Sequence, residues 1–570
     1  MNFRMNPFLY TKGPHDAEII LVGEAWGESE ARAQLPFVGQ SGQELQRMLF
    51  EAGLSPSRIL FTNVVNARPE GNDFTKFLRP RTSTDFKLLR GVRAGPQLVE
   101  GHAALLELIA AVKPKLIIGA GNIPLWALTS HGNSKFSGIM NWRGSQTYTE
   151  EIHGSNYPFL PIVHPAAVLR AWDLRSITVH DLKARAHRFS NGGISWGPPS
   201  NTANFSPTFQ DANRWLDRAG HRASSDPKRA LSLAVDLETY RRKYVACIGF
   251  ADEASELCIP FFYFGEGGKL ENVYTEQEEV ALCQKIRTLL ENPGIHIIGQ
   301  NWTYDYQFIR RWLGTSVPPA EDTMIMHHLC WPGTPKGLDY LASLYCNHYC
   351  YWKNESQEWD TRLAHKALWL YNCKDVRATY ECATSLRETV SKLGLQEQLA
   401  FQMDQWHLAQ AMADRGIAVD PTRWGKIKGE LTAAANSLEQ FLLDCMPANT
   451  RFTAMDKPWF TSPKMTMDIF YRQLGLPQVT HRKTKQPTVG GEALGELKKK
   501  VPYLAPIFSA LEALRSISVF RSHFIEAKLS PDRRLRCTFY VGGTDTFRWS
   551  SSSNSFDEGT NLQNIPKGDE

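Results

Sequence analysis

The chain has 570 residues, too many for one hydrophobic core, so three or four domains are expected. Its apolar content of 42%, charged content of 22% and net charge of +5 are ordinary for a soluble globular protein, and that charge does not by itself indicate nucleic acid. No run approaches the ~18 apolar residues of a membrane span, no signal-peptide pattern opens the chain, and ten cysteines at this length do not make a disulfide framework, so a cytoplasmic protein is expected.

In residues 1–190, four apolar segments read as buried strands: Glu18–Val22, Ile59–Val65, Lys115–Ile118 and Phe159–Val163. Amphipathic stretches lie between them, notably Gly42–Ala52 and His102–Val112. Strand alternating with helix predicts a mostly parallel sheet covered on both faces, with ligands beyond the carboxyl ends of the strands. The polar motifs fall there: Gly23-Glu24-Ala25-Trp26-Gly27, Thr62-Asn63 and His164-Pro165. With Pro36-Phe37-Val38-Gly39 and Val168-Leu169-Arg170 added, this region resembles the uracil-DNA glycosylase superfamily, closest to its family 4.

The resemblance implies an α/β/α domain that draws a flipped base into a pocket. It makes Phe37 the ring that stacks on uracil and Asn63 the group that reads its edge. His164 would stabilise the departing uracil anion, and Glu24 would position water or support the sugar cation. Two departures matter. Family 4 holds an iron–sulfur cluster on four cysteines, whereas the first cysteine here is Cys247, so no such cluster is expected. The family's Gly-Glu-x-Pro-Gly also reads Gly-Glu-Ala-Trp-Gly, with bulky Trp26 beside the pocket. The alternative is a retained fold that grips DNA or a partner without cutting a base.

Glycine, proline and serine mark a linker over 191–228, in which Phe209 to Arg222 reads as a short helix, and a second domain is expected over 229–395. The apolar run Leu231 to Val235 ends in Asp236-Leu237-Glu238, and strand alternation puts both carboxylates on one side. Gly299-Gln300-Asn301-Trp302-Thr303-Tyr304-Asp305 follows a second apolar strand, Ile295 to Ile298. Tyr371 and Asp375, four apart in a helical stretch, share a face. One Asp-x-Glu is weak by itself, but three such sets about 65 to 70 residues apart are specific. Asp236, Glu238, Asp305 and Asp375 are natural oxygen ligands for two Mg²⁺ or Mn²⁺ ions, which can activate water and neutralise a phosphate.

These sets resemble the three exonuclease motifs in the proofreading domain of family A DNA polymerases. The resemblance implies an RNase H-like fold, hydrolysis of DNA from the 3′ end, Tyr371 orienting the attacking water, and Asn301 among the groups that touch DNA. A rival set, His327, His328, Cys330, Cys346, His348 and Cys350, offers soft-metal ligands within 24 residues, but packed small side chains and surface imidazoles account for it better.

Residues 396–570 read as helices over Leu399–Arg415, Trp424–Cys445, Pro463–Leu474, Gly490–Lys500 and Leu504–Lys528. His481 to Pro487 with Lys498 to Lys500 is the most basic segment, and Lys483 and Lys485 are candidate phosphate contacts. Thr544-Asp545-Thr546-Phe547-Arg548-Trp549-Ser550-Ser551 and Asn561-Leu562-Gln563-Asn564-Ile565-Pro566 follow. This region resembles the family A thumb and the opening of its palm, with Phe547 where glycine is usual. The resemblance implies that Arg548, Asn561 and Asn564 touch the primer–template. The family's catalytic aspartates and finger helix would follow Glu570, so synthesis is expected to need a further C-terminal part or a second chain.

The expectation is therefore an α/β multidomain protein: a glycosylase-like domain, an RNase H-like 3′–5′ exonuclease, and a mostly helical thumb with the start of a palm. Its expected partners are primer–template DNA and single-stranded 3′ ends, in a phage-type replicative polymerase. The alternatives are a non-catalytic DNA-binding or assembly module and a stand-alone base-excision enzyme.

Overall fold

The computed structural model describes residues 6–198, 203–225, 230–356, 365–447, 450 and 457–565. Pro566 and linker residues 199–202 and 226–228 lie outside the described residues. The chain forms two compact units, Met1–Ala400 and Phe401–Glu570.

The first unit contains two sheets. One is built from β1 (Ile19–Ala25), β2 (Ile59–Val65), β3 (Leu116–Ala120), β4 (Thr147–Tyr148) and β5 (Pro158–Ile162), in the order β2-β1-β3-β5-β4. All neighbours run parallel except β4 against β5. Apolar side chains on both faces explain the continuous hydrophobic runs: Ile20, Val22 and Ile117 pack in one core, Leu21, Ile118 and Leu160 in the other. Helices α1 (Gln40–Glu51) and α2 (Pro96–Val112) bury Leu45, Met48 and Leu49, and Leu98, Leu105 and Ile109, respectively. The last helices, α3 (Pro165–Arg170) and α4 (Leu174–Asp181), lead into a π-helical turn through His187. The two-residue β4 is too short to leave a periodic signal in the sequence.

Helix α5 (Phe209–Ser225) follows the first strand of the second sheet. That sheet uses β6 (Ala203–Asn204), β7 (Leu231–Tyr240), β8 (Tyr244–Ala251), β9 (Glu256–Pro260), β10 (Ile295–Gly299) and β11 (Glu321–Asp322), ordered β11-β10-β7-β8-β9-β6. The β7-β8-β9 ribbon is antiparallel, and β10 joins β7 in parallel. Helices α6 (Glu276–Leu290), α7 (Thr303–Leu313), α8 (Thr323–Cys330), α9 (Leu338–Tyr345) and α10 (His365–Leu393) surround it. The long α10 packs across β7, β8 and β9. Gly249 on β8 permits that approach, because a Cβ there would lie 2.2 Å from Asn372 Oδ1 and 3.0 Å from Val376 Cγ1.

The two sheets of this unit share a buried polar junction. Arg143 donates to both oxygens of Asp181 at 2.7 and 2.6 Å, and to Ser343 Oγ at 3.0 Å. Arg185, 1% exposed, donates to the carbonyls of Ser343, Cys346 and Asn347 at 3.1, 3.1 and 2.9 Å. Those carbonyls lie at the carboxyl end of α9, where acceptors lack intrahelical partners and a cation is favoured.

The second unit contains α11 (Pro421–Asp444), α12 (Gly491–Lys500) and α13 (Ala505–Phe520) around Trp459, Phe470, Leu494, Phe508 and Leu511. The stretch Pro502–Ile525 is long and apolar enough by composition to cross a membrane, which differs from the reading that no run approaches a span. Its apolar residues Phe508, Leu511 and Leu514 are buried in this core. Thr538–Tyr540 and Ser550–Ser552 form an antiparallel pair. Phe547 adopts φ of 57°, in the left-handed region that ordinarily favours glycine, so this turn holds a left-handed residue despite the ring.

Candidate active sites

Strand β7 brings Asp236 and Glu238 to one side, paired with Gly249 and Cys247 of β8. Asp375 reaches them from α10. Ligand oxygens of Asp236, Glu238 and Asp375 all lie within 4.8 Å of one another. Among the described residues, no other group of histidines, cysteines and acids is close enough to hold an ion. Asp305, in the first turn of α7, comes to the same strand but is turned differently. Its Oδ1 accepts the Leu237 N–H at 2.9 Å, between the two β7 acids, and it is not part of the three-carboxylate group.

Several positioning groups were not visible in the sequence. Asn372 Nδ2 donates to Asp236 Oδ2 at 2.9 Å. Buried Asp322 accepts the N–H groups of Asn301 and Trp302 at 3.1 and 2.8 Å while capping α8 through Met324 N–H. It thereby fixes the loop in which Asn301 is left-handed at φ of 56°. An Asp just before an apolar helical run is a capping signal that could have marked Asp322.

Trp352 and Lys353 were missed altogether. Trp352 Nε1 donates to Asp375 Oδ1 at 2.6 Å. Lys353 Nζ donates to Asp375 Oδ1 and Oδ2 at 2.9 and 2.8 Å and to the Tyr371 hydroxyl at 2.9 Å. The one hint was a lone lysine closing the aromatic run Tyr349-Cys350-Tyr351-Trp352.

Crowding and burial set the electrostatics. Burial, then the charge of Asp375, pushes Asp236 up to about 8. Burial and the neighbouring Asp236 and Asp375 push Glu238 well above the carboxylate range, and burial with Asp236 does the same to Asp305. Burial raises Asp375 too, against the opposing pull of Lys353. The Lys353 ammonium is held charged: desolvation is the largest single influence and opposes the charge, but Asp375 and Tyr371 together, by charge and hydrogen bonding, override it. Three converging carboxylates, one of them bonded to an ammonium, form an oxygen-only donor set that fits a hard divalent ion.

The soft-ligand set does not assemble, and His327 and His328 are fully buried rather than the surface imidazoles expected. The His327 ring nitrogens pair with Tyr345 Oη and Thr334 Oγ1, each at 2.8 Å, and Cys346 Sγ lies 3.9 Å from Cys382 Sγ.

The second site lies at the carboxyl ends of β1, β2 and β5. Gly23 and Asn63 are paired across β1 and β2. A Cβ on Gly23 would fall 2.3 Å from Asn63 Oδ1 and 2.6 Å from Phe37 Cζ, so this glycine lets the amide and the ring face one another. Phe37 is held at φ of 54°, its ring 5.8 Å from that of Phe61. Asn63 is buried, and its Nδ2 has no hydrogen-bond partner among the described residues. His164 caps α3, its Nδ1 accepting the Ala166 N–H at 3.1 Å, which puts the ring proton on Nε2. Burial, then the charge of Arg170, lowers His164 to about 4, so it is neutral at pH 7. Burial raises half-buried Glu24, against the pull of Arg170. Trp26 is buried edge-on to Tyr10, with ring centroids 5.1 Å apart.

In the second unit, Lys483 and Lys485 are exposed on a turn closed by the Thr480–Pro487 bridge. Arg548 and Asn564 are exposed, whereas Asn561 Oδ1 accepts from Ser551 Oγ at 2.6 Å.

Two family models match the chain: uracil DNA glycosylase superfamily over residues 10–185 and 3′–5′ exonuclease over residues 221–391. A type-4 uracil-DNA glycosylase of Saccharolobus solfataricus is 31% identical over 185 residues, covering 32% of this chain and 77% of that one. DNA polymerase I of Rhizobium leguminosarum is 26% identical, covering 50% of this chain and 27% of that one. DNA polymerase I of Borreliella burgdorferi is 23% identical, covering 60% of this chain and 36% of that one. The chain thus spans only a fraction of these polymerases' length. A solved POL domain of Pol1 from M. smegmatis superposes with a TM-score of 0.43 at 18% identity, covering 63% of this chain and 55% of that one. Through its first domain the chain belongs to the uracil-DNA glycosylase superfamily, and it continues into a 3′–5′ exonuclease domain with homology to DNA polymerase I.

Proposed function

We propose that the chain removes nucleotides from DNA 3′ ends, as the proofreading part of a phage-type family A polymerase working in the cytoplasm of a bacterial or infected cell. The observation that carries this reading is the meeting of Asp236, Glu238 and Asp375 within 4.8 Å beside Tyr371. Asp236, Glu238 and Asp375, with Asp305 alongside, would hold Mg²⁺ or Mn²⁺. Bound divalent ions supply Lewis-acid activation of water and neutralise phosphate charge. The protein's own residues do the rest. Tyr371 aims a hydroxyl at the attacking water, Lys353 orients that hydroxyl, and Asn372 fixes the Asp236 carboxylate. Asn301 would contact the 3′ strand. In the second unit Lys483, Lys485, Arg548, Asn561 and Asn564 would grip the primer–template backbone.

The test is release of nucleotides from 3′-labelled single strands with and without Mg²⁺. Undiminished release by Asp236→Ala with Glu238→Ala refutes this site.

A second activity, uracil excision, is favoured by His164. A neutral imidazole whose Nε2 carries the proton can donate to a uracil oxygen as negative charge develops there on glycosidic cleavage. The partnerless Asn63 amide would read the base, Phe37 would stack on it, and Glu24 would hold water at the sugar. Incubating uracil-containing DNA without metal and then treating it with alkali should cut the strand. Intact strands leave a DNA-gripping role for this domain.

A further inference from the structure

The residues that touch Asp375 and Tyr371 come from a segment anchored on the other domain. Gln146, just ahead of β4, donates its N–H to the Tyr349 carbonyl at 2.6 Å, and its Oε1 accepts the Tyr349 N–H at 3.2 Å. Two residues on, the Tyr351 N–H donates to Ser145 Oγ at 3.1 Å. Tyr349 Oη donates to the Asn141 carbonyl at 3.3 Å, and the Tyr351 ring meets Trp142 edge-on at 5.2 Å. The start of the segment is pinned by Arg185 on the Cys346 and Asn347 carbonyls. Immediately after Tyr351 come Trp352 and Lys353. An extended residue spans only about 3.3 Å, so a shift of the strap at Tyr351 reaches Asp375 with little slack.

We propose that the glycosylase-like domain is a positioning element of the exonuclease centre. Ser145 and Gln146 hold strap residues 349–351, which set Trp352 and Lys353 on Asp375 and Tyr371. This rests on the cation-centre reading above. Trp352 and Lys353 together engage both Asp375 oxygens, so a cation that ligates Asp375 competes with the Lys353 ammonium for them. The strap therefore sets how readily the centre loads, and how firmly the Tyr371 hydroxyl is aimed afterwards. Ser145 and Gln146 are positioning residues: they touch neither the carboxylates nor the phenol directly.

The experiment measures Mn²⁺ affinity of the full chain by the paramagnetic resonance signal of free Mn²⁺, together with kcat and KM on single-stranded DNA. Lys353→Met should tighten Mn²⁺ about tenfold and lower kcat. Ser145→Ala with Gln146→Ala, which frees Lys353 only partly, should tighten Mn²⁺ about threefold and lower kcat with KM unchanged. In the Lys353→Met background the strap substitutions should add nothing further to Mn²⁺ affinity, as expected for residues acting through one group. Wild-type Mn²⁺ affinity in the strap variant, or a shift that persists undiminished in the Lys353→Met background, overturns the proposal. Where the double variant melts below the assay temperature, Ser145→Ala alone decides by the same criteria. A wild-type chain that binds no Mn²⁺ at this centre refutes the exonuclease reading itself, a different result from an unresponsive strap.

Discussion

Loading of the carboxylate centre should release protons. Asp236 is pushed up to about 8 by burial and by Asp375, and Glu238 and Asp305 are raised in the same direction. At pH 7 the protonated form of Asp236 then outweighs the ionised form roughly tenfold, since one pH unit is a factor of ten. A divalent ion needs the ionised form, so apparent affinity should climb at least about tenfold per pH unit between pH 6 and about 8. The climb is steeper wherever a second acid sheds its proton too.

The stability consequence has a definite sign. Between the unfolded value of 3.8 and the folded value of about 8, the native state binds more protons than the unfolded one. This site's contribution is therefore greatest below the unfolded value and is lost as pH rises through the folded one, at up to about 1.4 kcal/mol per pH unit per proton. Mn²⁺ should reverse that loss. Titration calorimetry of Mn²⁺ binding at pH 7, in two buffers of different ionisation enthalpy, should give about one proton released per site or more. Affinity unchanged between pH 6 and 8, with no buffer dependence, refutes the electrostatic account.

Replacing Asp236 and Glu238 together by alanine should cut 3′ hydrolysis about a thousandfold or more, because several kcal/mol of metal-assisted stabilisation vanish at 1.36 kcal/mol per decade. Metal-free stability at pH 8 should not fall, since two poorly solvated acids are gone; urea unfolding checks this. His164 is neutral down to about pH 4, so uracil excision should show no His164 limb between pH 5 and 8, and His164→Ala should slow it about a hundredfold or more. A pH–rate limb near 6.5 that disappears in that variant contradicts the neutral-donor role. Gly249→Ala forces a Cβ onto Asn372 and Val376, so it should destabilise the chain by about 1–3 kcal/mol in denaturant titration and weaken Mn²⁺ binding through Asn372.

What the sequence disclosed depended on the range of the interaction. Strand alternation brought Asp236 and Glu238 together, and a four-residue helical spacing brought Tyr371 and Asp375 together; both are local regularities. Long apolar runs likewise exposed the buried parallel strands of the first sheet. The orientation of Asp305 was hidden, because its partner is a backbone N–H of Leu237 on a distant strand. Trp352, Lys353 and Asn372 were hidden for the same reason: each acts across a tertiary contact without a repeating pattern. The anchoring of residues 349–351 on Ser145 and Gln146 joins segments more than 200 positions apart, as the Tyr351–Ser145 separation of 206 shows, and no local rule reaches that far. The left-handed turn at Phe547 ran against residue preference, and the aromatic side chain gave no sign of it.

The most direct measurement is anomalous diffraction at the manganese edge from crystals soaked in Mn²⁺. The account predicts a peak bounded by oxygens of Asp236, Glu238 and Asp375, with the Lys353 ammonium moved off Asp375. No peak there at saturating Mn²⁺, or a peak elsewhere with Lys353 still bonded to Asp375, would contradict it.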